Sequence, residues 1–128
     1  MKDLNKKDLK ELILNNSLDR YTISMKILGL TRKKEKIKKE IKKIEINTYN
    51  VVSKEINSSG DLIFNSEKKR EFQTQKRLNE NLAFKELSDN YDFLNYEIEK
   101  EKIELEHLKN MFESISLLLK YIYGDDKN

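Results

Sequence analysis

The sequence predicts an all-α fold: a long antiparallel helical hairpin, packed as a coiled coil, with a short N-terminal helix and a short connector helix. Three observations carry that prediction. First, the heptad positions stepping from Phe84 through Leu87, Tyr91, Leu94, Ile98, Glu101, Leu105, Leu108, Phe112, Ile115 and Leu119 to Ile122 are apolar at every point but Glu101. Spacing that alternates 3 and 4 over such a length marks a coiled-coil seam. Second, the 128 residues include no proline and only three glycines, so little in the chain interrupts a helix. Third, 37% of the residues are hydrophobic and 38% charged, a balance that feeds an elongated seam better than a thick core.

The elements follow in order. Leu4, Leu9, Leu12 and Ile13 predict a short amphipathic helix over 4–15, fading at Asn15-Asn16-Ser17, with Ser17 placed to cap the next helix. That second helix, 18–57, carries Ile37, Ile41, Ile44, Tyr49, Val52 and Ile56 at helical spacing and tolerates Gly29 at a cost of about 1 kcal/mol. Asn57-Ser58-Ser59-Gly60-Asp61 is the clearest turn signal, and Leu62-Ile63-Phe64 after it reads as extended. Asn65 or Ser66 then caps a connector helix over 66–78, with Glu67 complementing its dipole. Asn81 caps the last helix, 81–123. Gly124 closes it, and Asp125-Asp126-Lys127-Asn128 reads as a frayed tail. The expected result is one elongated helical domain spanning 1–128.

Two helices of roughly forty residues, each about 60 Å long at 1.5 Å per residue, pack most economically antiparallel when a single connection joins them. With position 57 level with 81, positions 32–43 face 95–106, and Glu101 falls opposite Ile37. Charge supports the arrangement, because residues 1–60 hold 15 Lys/Arg against 8 Asp/Glu while residues 61–128 hold 11 against 15. The basic run Arg32, Lys33, Lys34, Lys36, Lys38, Lys39, Lys42 and Lys43 is thereby expected to meet Glu97, Glu99, Glu101, Glu104 and Glu106. Left uncovered, the same run is a candidate phosphate-binding surface.

A second cluster lies on the connector: Phe64, Lys68, Lys69, Arg70, Phe72, Lys76 and Arg77. Aromatic rings beside cations anchor protein loops or stack bases; the competing reading is that Phe64 and Phe72 merely seal the end of the hairpin. This cluster is the candidate interaction surface. Tyr121, Ile122 and Tyr123 form another apolar group, expected to pack against the amino-terminal helix or a second subunit.

No chemistry emerges from the remaining residues. His107 is the lone histidine, and its Glu104-x-x-His107 pair would need a second copy and further glutamates to build a metal site. Without cysteine there are no disulfides or thiolate ligands, and the glycines form no phosphate-binding fingerprint. The reading is a non-enzyme with no cofactor and no small-molecule substrate. The amino-terminal residues resemble no export signal and no stretch reaches the roughly 18 apolar residues of a membrane span, which predicts a cytoplasmic protein without a membrane partner.

Gly60-Asp61-Leu62-Ile63-Phe64-Asn65-Ser66-Glu67-Lys68-Lys69-Arg70, continuing through Lys76-Arg77-Leu78-Asn79-Glu80 to Ile103-Glu104-Leu105-Glu106-His107-Leu108-Lys109-Asn110-Met111-Phe112, resembles small helical coiled-coil proteins encoded by prophages and other mobile elements. The resemblance spans about residues 57–115. It implies action by binding and carries over no functional residue. The expected function is therefore a protein–protein interaction module of phage or mobile-element origin, partnered by another protein or by itself. The alternatives are a nucleic-acid-binding accessory protein of phage replication or recombination, and an inhibitor of a host defence nuclease complex.

Overall fold

In the computed structural model, which describes residues 5–124, three helices account for most of the chain: α1 (Lys6–Lys54), α2 (Glu67–Glu80) and α3 (Leu82–Tyr123). The fold is all-helical, and the two long helices pack against each other. The start expected at Leu4 and the tail expected over Asp125–Asn128 lie outside the described residues.

Local chemistry sets the helix ends. At the start of α1 the Asn5 side-chain oxygen accepts from the Asp8 backbone N–H at 2.8 Å, while the Asp8 carboxylate accepts from the Asn5 backbone N–H at 3.5 Å. This reciprocal pair is a capping box with Asp in place of Glu. Ser66 caps α2 by accepting from Lys69 N–H at 3.2 Å, and Asn81 caps α3 by accepting from Phe84 N–H at 2.9 Å. Gly124, at φ 67°, donates its N–H to the Lys120 carbonyl at 2.9 Å and closes α3 in the left-handed conformation that glycine adopts freely.

The expected break between a helix over 4–15 and a second over 18–57 does not occur: α1 is continuous through Asn15-Asn16-Ser17. Asn16 is not spent on a turn. It is buried, its side-chain N–H donates to the Leu108 carbonyl on α3 at 2.8 Å, and its oxygen accepts from Arg20 Nε at 2.8 Å. A tertiary contact thus overrides the local preference of asparagine for caps. Gly29 also stays helical, and α1 ends at Lys54, before the turn.

By compactness the chain divides into two units, one of Met1–Thr31 with Tyr96–Asn128 and the other of Arg32–Asn95. Within the first, Leu9, Ile98 and Leu108 are the buried apolar residues, joined by Asn16 and Glu101. Lys26 Nζ donates to the Glu101 carboxylate at 2.7 Å, and the Arg20 guanidinium lies 4.6 Å from the centre of the Phe112 ring. The hydrogen bond to Glu101, reinforced by charge, holds the Lys26 ammonium above its ordinary pKa. Within the second unit, Val52, Thr74 and Leu78 are buried, and Lys34 lies 5.8 Å from the Tyr91 ring.

The stripe on α3 is the covered side of that helix. Every position of the series from Phe84 to Leu119 is buried or half-buried, and only Ile122 at its end is exposed. The register differs from expectation. Glu101 meets Lys26 rather than the neighbourhood of Ile37, a displacement of about three helical turns. α2 packs on the last turns of α1, where Glu45, Ile46 and Tyr49 share a cleft with Glu71, Thr74, Gln75 and Leu78. Those turns of α1 are therefore occupied, and α3 pairs further back along it.

Two polar residues on this seam set its register, so Asn16→Leu and Glu101→Leu are each expected to raise the melting temperature while broadening the ensemble, because polar seam residues trade stability for a unique register. Circular dichroism melting and the dispersion of amide NMR signals measure the two effects separately. A lowered melting temperature would show that the polar contacts contribute net stability. Leu78→Ala, at a buried position on the inner side of α2, is expected to cost about 2–4 kcal/mol in denaturant unfolding.

Candidate functional site

The connector is built by one turn and one cap. Asn57 accepts through its side chain from Ser59 N–H at 2.9 Å and Asp61 N–H at 3.0 Å, and Gly60 takes φ 83°. The chain reverses there, giving an isolated antiparallel bridge between Ile56 and Leu62 and a hydrogen bond from Ile63 N–H to the Glu55 carbonyl at 3.0 Å. Thus the extended run expected at Leu62-Ile63-Phe64 is laid back along the end of α1, and Ser66 starts α2 from it.

Helical periodicity then divides the cationic cluster into two faces. Arg70, Thr74, Arg77 and Leu78 recur at helical spacing on the side turned to α1. Arg77 grips both oxygens of Glu55, at 2.6 and 2.7 Å, in a two-pronged pair. Its guanidinium also lies 5.9 Å from the Phe64 ring. Arg70 donates through Nε to the Tyr49 hydroxyl and through its terminal nitrogen to the Phe64 carbonyl, both at 3.3 Å. These two arginines are fasteners of the connector. The candidate surface loses them to structure.

Lys68, Lys69, Phe72 and Lys76 occupy the other face, all exposed, with the Phe72 ring 73% accessible. Ile63, Phe64, Lys68, Lys69, Phe72 and Gln73 line an open cleft of about 570 Å³. No acidic side chain contributes to that lining. Lys69 Nζ reaches only the Asn65 side-chain oxygen, at 3.2 Å. Of the seven residues expected here, four line the cleft, Lys76 extends the same helix face one turn on, and Arg70 and Arg77 lie behind it. Ile63 and Gln73 are additions that the sequence signals through the extended run before Ser66 and the i, i+1, i+4, i+5 spacing from Lys68. Glu55 and Tyr49 are additions that no local pattern reveals.

The basic run sits elsewhere in the same unit. Lys34 is half-buried over Tyr91, while Arg32, Lys33, Lys36, Lys38, Lys39, Lys42 and Lys43 are exposed. The run was expected to meet the acidic stretch around Glu101. Its neighbours on α3 are instead Asn90, Tyr91, Phe93 and Leu94, and among the described residues no ion pair joins it to Glu97, Glu99, Glu101, Glu104 or Glu106. The shifted register described above is the reason. A cleft of about 380 Å³ between Lys33, Lys36, Ile37, Asn90, Phe93 and Leu94 marks the place.

Among the described residues, no group of three or more His, Cys, Asp or Glu side chains is arranged to hold a metal ion, and no helix is long and apolar enough to cross a membrane. His107 is exposed on α3. At the end of α3, Leu119 and Tyr123 share a cleft with Lys6 and Lys10, so the start of α1 does accompany that end, while Tyr121 and Ile122 are exposed.

The Arg77 hydrogen bonds hold the Glu55 carboxyl below its ordinary pKa. A depressed carboxylate pKa contributes stability above the unfolded value that is lost as pH falls through the folded one. Acidification below the ordinary carboxylate range is therefore expected to release α2 from the end of α1, and Glu55→Gln is expected to flatten that part of the pH profile. Amide hydrogen exchange over Glu67–Glu80 reads it; an identical acid response in wild type and Glu55→Gln would remove this role from the pair. Comparisons with family models, curated proteins and solved structures return no match, so the reading rests on this geometry.

Proposed function

We propose that this chain is a non-enzymatic protein–protein interaction module, an antiparallel coiled-coil hairpin of the kind carried by prophages and mobile elements, whose connector docks an acidic segment of a partner protein. One observation carries the reading. The Ile63–Phe72 cleft combines two accessible apolar side chains with two lysines and no acidic lining. Apolar floor and cationic rim together suit a short segment that presents an aromatic or leucine anchor flanked by Asp or Glu. Exposed aromatic area of this kind contributes to binding in proportion to how completely the partner desolvates it. The fastening of α2 by Arg70 and Arg77 supports the reading further, because a rigid presenting helix loses little entropy on docking.

A second reading has its own observation. Seven cations of the run 32–43 are exposed, and two of them, Lys33 and Lys36, share a cleft with Phe93, which is itself exposed. Cations with an adjacent ring suit a single-stranded nucleic acid, phosphates on the lysines and a base on the ring. That is the accessory-protein reading, and it uses a different surface.

The chain has no tryptophan, so a peptide with one tryptophan between glutamates reports its own binding by fluorescence. Such peptides are expected to bind, and Phe72→Ala is expected to weaken them by about 10-fold or more. Lys68→Glu with Lys69→Glu is expected to abolish the preference for acidic over neutral flanks. Single-stranded oligonucleotides titrated in parallel separate the readings: affinity whose logarithm falls with log salt by about 0.7 per phosphate contacted, insensitive to Phe72→Ala and lost with Lys33→Glu and Lys36→Glu, would transfer function to the basic run.

A further inference from the structure

The outer side of α1 carries a second heptad stripe, independent of the connector cleft. Leu14, Leu18, Tyr21, Met25 and Leu28 step by 4, 3, 4 and 3, and each is between 41% and 66% exposed. The seam toward α3 uses Ile13, Asn16, Arg20, Ile23 and Ile27, which are buried or half-buried. At about 100° per residue the two stripes lie on nearly opposite sides of the helix. α1 is therefore apolar on two sides over this stretch, and only one is covered.

We propose that the second stripe is a homodimer interface, in which α1 of one copy packs antiparallel on α1 of another about a two-fold axis near Tyr21. Area is sufficient. Five large side chains exposed by roughly half, about 100 Å² each, give on the order of 500 Å² per copy, and two copies reach the ~1,000 Å² total that a specific interface needs. The positions flanking the stripe are Asn15, Ser17, Thr22, Ser24, Gly29 and Thr31, all small or uncharged. Charged flanks are what direct a coiled coil to an unlike partner. Here like meets like across a two-fold axis without repulsion, as an isologous contact requires.

The flanks also suit close approach. The Thr22 and Thr31 hydroxyls already donate to the Leu18 and Ile27 carbonyls, at 3.0 and 2.8 Å, so covering them strands no donor. Gly29 sits in a helix interior, where alanine is favoured by about 1 kcal/mol, and a methyl group built there meets nothing within 4 Å. Packing within the chain gives no reason for a glycine. A second helix laid against this face supplies one, since it brings backbone close to the position. On α3, His107, Asn110 and Ser114 interrupt the path from Ile103 to Leu117, so its outer side has no equivalent stripe.

Sedimentation equilibrium over a range of concentrations tests the proposal. The wild-type chain is expected to dimerise, and Tyr21→Glu is expected to raise the dissociation constant by about 30-fold or more with helix content by circular dichroism retained. Gly29→Leu, which fills open space in the single chain, is expected to weaken the dimer as well. Geometry is read by disulfide trapping in this cysteine-free chain: Tyr21→Cys is expected to link to itself, and Leu14→Cys to link to Leu28→Cys but not to itself. A wild-type chain that stays monomeric, a dimer indifferent to Tyr21→Glu, or efficient self-linking of Leu14→Cys overturns the proposal. Phe72→Ala is expected to leave the mass unchanged, which keeps this test separate from that of the connector cleft.

Discussion

The thinness of the seam between α1 and α3 constrains everything else in this protein. A pair of helices has one line of contact, and only Leu9, Val52, Leu78, Ile98 and Leu108 are buried apolar residues among those described. Such a seam gains stability by length, since each layer contributes little. It gains uniqueness from its polar members. Asn16 donates to the Leu108 carbonyl and Glu101 accepts from Lys26 in the register observed. The ammonium of that pair is on a side chain 56% exposed, so its net contribution to stability is small and its contribution to specificity is the larger one. A slip by one heptad that brings Asp19 to the place of Lys26 would set two carboxylates against each other, at a cost that apolar layers alone would not impose.

How much of this was legible in the sequence follows from the range over which each signal acts. The α3 stripe was legible because heptad spacing is local and the covered apolar positions repeat it. The caps at Ser66, Asn81 and Gly124 were legible for the same reason: each is set by atoms within four residues. Asn15-Asn16-Ser17 misled because asparagine beside serine is a good local break, whereas the buried partner that keeps Asn16 helical lies 92 residues away. Register misled for a related reason. Opposed net charge in the two halves is a bulk property, compatible with several alignments, and it carries no sign that α2 occupies the last turns of α1.

The connector shows the same division inside a single cluster. In sequence, Lys68, Lys69, Arg70, Lys76 and Arg77 are five equivalent cations. In the helix, 100° steps separate them, and the residue types fit the two jobs. Arginines face inward, where a planar fork can bind Glu55 at two points and a long arm can reach Tyr49 and the Phe64 carbonyl. Lysines face outward, as compact hydrated charges beside Phe72. The fold thus removes two cations from the candidate surface and leaves the remaining ones next to exposed apolar area. Charge alone would attract any polyanion; charge beside an apolar floor discriminates in favour of a partner with something to bury.

The exposed apolar residues of the chain are not interchangeable, and their neighbours distinguish them. Around Phe72 the flanking side chains are long and cationic, which suits an unlike and acidic partner. Around Tyr21 they are short and neutral, which suits an identical one, since two copies of a charged flank would repel across a two-fold axis. The same contrast appears in bulk: residues 32–95 hold 15 Lys/Arg against 11 Asp/Glu, while the remaining residues hold 11 against 12. A near-neutral unit permits self-association and a basic one steers a foreign anionic partner. The two proposed kinds of recognition would then not compete for the same chemistry. The long α1 helix makes this division available because it contributes residues to both units and still keeps an unpaired outer side over residues 14–28.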